Sequence, residues 1–152
     1  MRSTRMHGMN NSGQAIVELA LVILLLLTLV LGIFEFGRAM YLKNTLTHAA
    51  RAGARAAVVT PNLPPNTSHT GCTDTSTVFQ TTCQSLYSGI NKANTTVLVE
   101  VFSPGGTSPK GSNAVSGDTV KVTVTYTGVN PIVPNFVPVP GTLSGDTAMR
   151  YE

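Results

Sequence analysis

The chain has 152 residues, of which 42% are apolar and only 11% are charged, and its formal net charge is +3. This length allows one small domain with a helical extension and excludes a multidomain enzyme. The low charged fraction, against roughly 25% in an average soluble domain, excludes an acidic disordered tail and an ordinary cytosolic surface. Residues 1–55 contain six Lys/Arg and two Glu, whereas residues 56–152 contain four Lys/Arg and five Asp/Glu. The positive charge therefore flanks an N-terminal segment, which argues against a nucleic-acid-binding surface on the body.

The first predicted element is a long apolar helix. No charged residue interrupts residues 19–34. Extended to residues 15–36, this segment would be about 33 Å long as a helix, which suffices for a hydrocarbon layer of about 30 Å. We therefore expect one transmembrane span at about residues 15–36. A cleaved secretory signal is the rival interpretation, but the run is longer than the usual apolar region and the small-residue cleavage patterns follow it too late.

The helix is predicted to continue beyond the apolar segment, to about residue 58, because no proline occurs before Pro61 and helix formers dominate. Three small residues recur every four positions along its outer half: Ala49, Gly53 and Ala57. They share one helix face, and Arg51 and Arg55 lie on another. The small residues either reflect helix propensity alone or form a packing face, for another subunit or for the chain's own globular part.

Glu18 is a carboxylate next to the apolar segment, where an unpaired charge costs several kcal/mol. One explanation is an interfacial position, with the helix macrodipole and water stabilising the charge. The other is a cation at the same depth. A cut after Gly13 would supply one, because the new amino terminus at Gln14 could neutralise the Glu18 of a neighbouring chain. At the other end of the segment, Glu35 and Arg38 are three positions apart and either pair within one helix or pair between chains. The default expectation is a solvated ion pair worth under about 1 kcal/mol.

Gly13 followed by Glu18 and a long apolar run resembles the processing site of type IV prepilins. The chain also resembles the TadE family of pseudopilins, of the tight-adherence (Flp) pilus, in residues 14–22, 32–38, 49–55 and 147–152. The resemblance implies a leader of residues 1–13 that a prepilin peptidase removes. It assigns Gly13 as the last leader residue, Gln14 as the first mature residue and Glu18 as the carboxylate needed for processing or assembly.

The resemblance also implies partners and a location. The partners are the lipid bilayer, the prepilin peptidase, other pilin-like subunits and the Tad/Flp assembly machinery, in a homo- or hetero-oligomer. The location is the bacterial plasma (inner) membrane or a surface pilus, with the N-terminus cytoplasmic and the C-terminal domain extracytoplasmic. Charge alone does not decide this orientation, because Lys and Arg flank both ends of the apolar segment.

The remaining residues, 60–152, are predicted to form an exported Thr/Ser-rich domain that follows a helix of residues 14–59. Residues 61–70 are a linker by composition. In exported surroundings Cys72 and Cys83 are expected to form a disulfide that closes a loop of about twelve residues. A short amphipathic helix is predicted within residues 76–92, with an inner face formed by Phe79, Cys83, Leu86 and Ile90.

Three strands are then predicted. Residues 95–102 are β-branched and apolar, residues 119–127 alternate between apolar and polar, and residues 142–151 supply a third strand. Residues 103–118 read as a long hairpin loop. The prolines that prevent regular pairing before the last strand are Pro131, Pro134, Pro138 and Pro140. The predicted fold is α+β and type IV pilin-like: a long transmembrane helix, about three antiparallel strands and one short helix.

No constellation for catalysis is found. The three histidines, His7, His48 and His69, fall in separate segments without other ligands at metal-binding spacing, so no metal and no cofactor are predicted. The sequence contains no G-x-S-x-G motif and no phosphate-binding loop. We expect a non-enzymatic TadE-like minor pilin that acts in pilus assembly and surface adhesion, with any adhesive contacts at residues 61–75 and 103–118. The alternative is an uncleaved, single-pass, membrane-tethered binding domain.

Overall fold

A computed structural model describes residues 12–131 and 140–152. Its helices and strands are α1 (Ser12–Val58), β1 (Thr67–Thr70), α2 (Thr77–Gln84), β2 (Thr95–Phe102), β3 (Thr119–Thr127) and β4 (Thr142–Arg150), and a single 3-10 turn at Lys92–Asn94 precedes β2. The predicted α+β class is confirmed. Most of the predicted leader and two of the four sheet-interrupting prolines, Pro134 and Pro138, lie outside the described residues.

Helix α1 is 47 residues long and begins two residues before the predicted start. It ends where the next proline, Pro61, prevents its continuation. The Thr60 N–H donates to the Ala57 carbonyl at 3.2 Å, and the Thr60 hydroxyl donates to the Ala56 carbonyl at 2.7 Å. These two bonds satisfy carbonyls of the last turn that have no partner within the helix.

The four strands form one antiparallel sheet in the order β1-β2-β3-β4. Strands β2 and β3 have the predicted bounds, and β4 ends one residue before the predicted end. Strand β1 was missed: residues 61–70 were predicted to be a linker, but Thr67–Thr70 pair with residues 96–99 of β2. The sheet therefore has four strands instead of about three.

The core lies between one face of the sheet and the outer half of α1. The alternation in β2 and β3 points every second side chain into the core. Six valines on this face are at most 1% exposed: Val97, Val99, Val101, Val120, Val122 and Val124. Each buried valine stabilises the fold by about 1.5–3 kcal/mol relative to an exposed one. On the helix side the core includes Leu46, Ala49, Ala50, Ala54 and Ala57.

Helix α2 packs against α1 and is shorter than the predicted segment of residues 76–92. It ends at Gln84, and the Ser85 N–H donates back to the Thr81 carbonyl at 3.1 Å. Leu86 and Ile90 are buried, as expected for inward-facing residues, although they lie beyond the end of the helix. Thr81 and Thr82 are poor helix formers, which is consistent with the early end.

Helix α1 and strand β4 run side by side in the same direction. Arg38 contacts the segment before β4, Thr47 contacts Gly145 in its middle, and Thr60 contacts Tyr151 just after its end. The end of the body beside the apolar half of α1 contains residues 85–94 and 128–131 and is called the proximal end. The opposite end contains residues 61–66 and 103–118 and is called the distal end.

Candidate functional site

The N-terminal half of α1 is apolar around its whole circumference and lies outside the core. None of its most apolar stretch is buried inside the protein. Side chains more than 60% exposed include Ile16, Val17, Leu24, Leu25, Phe34 and Phe36. By length and composition the helix is sufficient to cross a membrane, which is consistent with membrane anchoring.

The predicted processing residues lie at the start of this apolar half. Gly13 and Gln14 are in the first turn of α1, and Glu18 is one turn further and exposed. Gln14 and Glu18 are four positions apart, so they share a helix face. Glu18 takes part in none of the four ion pairs found among the described residues. A Cβ at Gly13 would meet no atom within 4 Å, so packing among the described residues does not explain this glycine.

The predicted packing residues face the chain's own body. Ala49, Gly53 and Ala57 are all buried against the sheet and α2. A Cβ at Gly53 would collide with the Thr82 hydroxyl and would come within 3.3 Å of Val122 Cγ1. The absent side chain thus allows α2 and β3 to approach the helix closely.

Gly145 is a second close approach, and the sequence analysis did not identify it. It lies in the middle of β4, beside Leu46 and Thr47 of α1. A Cβ at this position would lie against the Thr47 backbone nitrogen, 2.6 Å from the Leu46 carbonyl carbon and 2.8 Å from Thr47 Cα. A glycine within a strand pattern is the signal that could have indicated this contact.

The junction between the apolar half of α1 and the body contains a partly buried ion pair. Arg38 donates to Glu35 Oε1 at 3.1 Å, within one helix, and to the Asn130 carbonyl at 2.8 Å. The expectation of a solvated pair is wrong, because the Glu35 side chain is only 7% exposed and that of Arg38 is 33% exposed. A buried carboxylate requires such a partner. The contact ties the helix to the segment before β4.

Cys72 and Cys83 form the predicted disulfide, with their Cα atoms 5.7 Å apart. The bridge joins the chain after β1 to the buried face of α2. Within the loop that it closes, Asp74 accepts from the Ser76 N–H at 2.6 Å and pairs with His69 at 2.9 Å. The hydrogen bond from the Ser76 N–H is the main reason that the pKa of Asp74 lies below its usual value.

A hydrogen-bonded network holds the distal end together. Asp118 is 1% exposed and accepts from Lys110 Nζ at 2.8 Å and from the Val115 N–H at 2.9 Å. The bond from Lys110 lowers the pKa of Asp118, the bond from Val115 adds to this effect, and burial opposes it. Tyr151 donates its N–H to the Asp118 carbonyl at 2.7 Å and its hydroxyl to the Thr60 carbonyl at 2.6 Å. The long loop is therefore fixed to the end of α1.

Two segments that were predicted to carry adhesive contacts meet at this distal end. The Ala114 N–H donates to the Leu63 carbonyl at 3.0 Å, and the Asn66 side-chain amide donates to the Lys110 carbonyl at 3.1 Å. Residues 61–66 and the loop of residues 103–118 thus form one surface. Residues 67–70 instead belong to β1, which leads the chain away from the distal end.

A small antiparallel sheet and a short helix on the outer half of one long apolar helix define a helix-anchored α+β protein. Residues 13–55, which comprise most of α1, match the family model described as TadE-like protein. This match confirms the resemblance identified in the sequence over residues 13–55. The comparisons with curated proteins and with solved structures found no match.

Proposed function

We propose that the chain is a TadE-like minor pilin, cut between Gly13 and Gln14 by a prepilin peptidase, that acts in assembly of the Tad pilus and in surface adhesion. It acts through assembly rather than through catalysis. The observation that carries the proposal is an uncovered apolar helix with Gly13, which has no packing role among the described residues, in its first turn and the carboxylate of Glu18 one turn later.

The spacing of Gln14 and Glu18 supports a contact between subunits. Four residues of helix correspond to about 6 Å along the axis. A neighbouring subunit displaced by that distance would therefore bring its new amino terminus level with Glu18. Pairing the two charges would offset the several kcal/mol that an isolated carboxylate costs in an apolar environment. The uncut chain has no amine at this position.

The division of α1 into two halves supports the same function. The body covers one face of the outer half, with its small residues already engaged by the chain's own sheet and α2. The apolar half remains free for the bilayer and for other pilin-like helices, which associate through close packing. The distal end is furthest from the apolar half, and its joined loops of residues 61–66 and 103–118 are the surface to which we assign the adhesive contacts.

The intact mass of the protein extracted from membranes tests the processing step. We expect loss of residues 1–13 in the wild type and a full-length chain in Gly13→Leu. Gly32→Leu is the matched control, since neither glycine has an atom within 4 Å of an added Cβ. Glu18→Gln is expected to abolish processing or incorporation into sheared surface pili, whereas Glu152→Gln is expected to change neither.

A full-length mass for the wild type would refute the processing step and favour the uncleaved, membrane-tethered binding domain. If Glu18→Gln matures and assembles as the wild type does, the proposed amine–carboxylate contact is wrong. If the protein is processed normally but is absent from pili, the assembly role is refuted instead.

A further inference from the structure

The proximal end of the body begins at the level where the apolar half of α1 ends. Glu35 is the first buried residue of the described helix and is 6% exposed, whereas its neighbours Phe34 and Phe36 are 61% and 69% exposed. One face of the helix is thus covered by protein while the opposite face presents aromatic rings. Any layer that surrounds Phe34 and Phe36 therefore also meets the proximal end of the body.

Two half-exposed tyrosines lie at this end. Tyr41 of α1 is 52% exposed and Tyr87, in the loop after α2, is 51% exposed. Their rings meet edge to face, with centroids 5.6 Å apart. A side chain at Gly89 would collide with the Tyr87 ring, so the glycine permits this ring position. We call Tyr41 and Tyr87 the aromatic patch.

The height of the patch matches the lipid headgroup layer. Tyr41 lies five residues after Phe36, which is about 7.5 Å along the helix axis. The headgroup region extends about 5–8 Å beyond the hydrocarbon on each side of a bilayer. A long side chain on a helix also points back toward the N-terminus, which directs the Tyr41 ring toward the apolar half.

The charges around the patch fit an anionic or zwitterionic surface. Lys43, two residues after Tyr41, and Lys92, at the start of the 3-10 turn that follows Tyr87, are both exposed. The only acidic side chain at this level of α1, Glu35, is already paired with Arg38. Tyrosine with neighbouring lysine is the composition found where proteins meet the membrane–water interface.

We propose that the proximal end of the body docks on the lipid headgroup layer through the aromatic patch, which fixes the height and orientation of the body above the membrane. This inference rests on the proposed membrane anchoring. The patch is continuous with the apolar face, since Phe34 and Tyr41 are seven positions apart and therefore share one side of α1. That continuity favours lipid over a second subunit.

Single tryptophans test the docking, because the chain contains no tryptophan of its own. Full-length Tyr87→Trp and Tyr41→Trp are placed, one chain per disc, in lipid nanodiscs whose acyl chains carry bromine either near the headgroup or deep in the layer. Phe34→Trp reports whether the apolar helix is in the bilayer. Val115→Trp is the matched distal control, since Val115 is 55% exposed.

We expect loss of fluorescence for the tryptophans at positions 87 and 41, stronger with the shallow label than with the deep one, and no loss at position 115. Loss at position 34 without loss at 87 or 41 would overturn the docking while leaving the anchoring intact. No loss at position 34 would refute the anchoring itself. Quenching at 87 or 41 that requires two chains in one disc would assign the patch to a second subunit and refute the lipid assignment.

Discussion

Gly145 is a position where the sheet closely approaches the backbone of α1, so Gly145→Ala tests how the body packs on the helix. An added Cβ would lie 2.6 Å and 2.8 Å from two backbone carbons of α1, whereas ordinary contacts between carbon atoms are about 3.5–4.0 Å. Backbone atoms cannot rotate away as a side chain can. The helix and β4 would therefore have to separate by about 1 Å.

Whether Gly145→Ala stabilises or destabilises the protein depends on two free-energy terms, the backbone entropy of the unfolded chain and the steric clash in the folded one. Replacing glycine by alanine in a strand ordinarily stabilises a protein by about 0.5–1 kcal/mol, because the unfolded chain loses freedom. Forcing an extra carbon into a packed contact costs about 1–3 kcal/mol and more where the backbone must move. The clash dominates, and we expect a net loss of about 2 kcal/mol. For a body of this size, that loss lowers the Tm by about 8–16 °C.

The assay is thermal unfolding of the full chain in detergent, followed by the near-ultraviolet circular dichroism of its four tyrosines. Gly111→Ala is the matched control, because no heavy atom lies within 4 Å of its added Cβ, and its stability should change by under about 0.5 kcal/mol. A Gly145→Ala protein as stable as this control would refute the close approach of β4 to α1.

Three further predictions concern the body. Gly53→Ala should destabilise it by about 1–2 kcal/mol, because the added Cβ would collide with the Thr82 hydroxyl. Thr82→Ala in the same chain should recover part of that loss. Strictly additive effects of the two substitutions in this double-mutant cycle would contradict the contact. The double variant Cys72→Ser/Cys83→Ser should lose about 3 kcal/mol, and reductant should lower the Tm of the wild type but not of the variant. Folding lowers the pKa of Asp118, so its carboxylate stabilises the folded state at pH values above the unfolded pKa of about 3.9. This contribution is lost as the pH falls through the folded pKa. Asp118→Asn should therefore lower the free energy of unfolding at pH 6 and make that free energy fall less steeply below about pH 4. An unchanged dependence on pH in the acid range would show that this carboxylate contributes nothing.

The sequence predicted the elements whose pattern is local and strong. The alternation of valines predicted the observed bounds of β2 and β3 because one face of each strand is buried in the core and the other is not. Because no proline occurs before Pro61, the sequence also predicted that α1 continues to about residue 58. The burial of Leu86 and Ile90 was also predicted, although both residues lie beyond the end of α2 at Gln84.

The features that the sequence did not predict depend on contacts between distant residues. Strand β1 has only four residues in a stretch rich in Pro and Asn, and it exists because β2 offers a free edge. Turns at Asn62 and Asn66, both with positive φ, direct the chain onto that edge. The burial of Glu35 depends on contacts of the folded body that no local pattern reveals.

The parallel course of α1 and β4 has a mechanical consequence. Contacts lie at three heights along α1: Arg38 meets Asn130 before β4, Thr47 meets Gly145 within it, and Thr60 meets Tyr151 just after it. Tension applied to the body along the helix axis loads these contacts in shear, all at once, instead of peeling them one after another. The body would therefore resist displacement along the helix axis until all three contacts yield together.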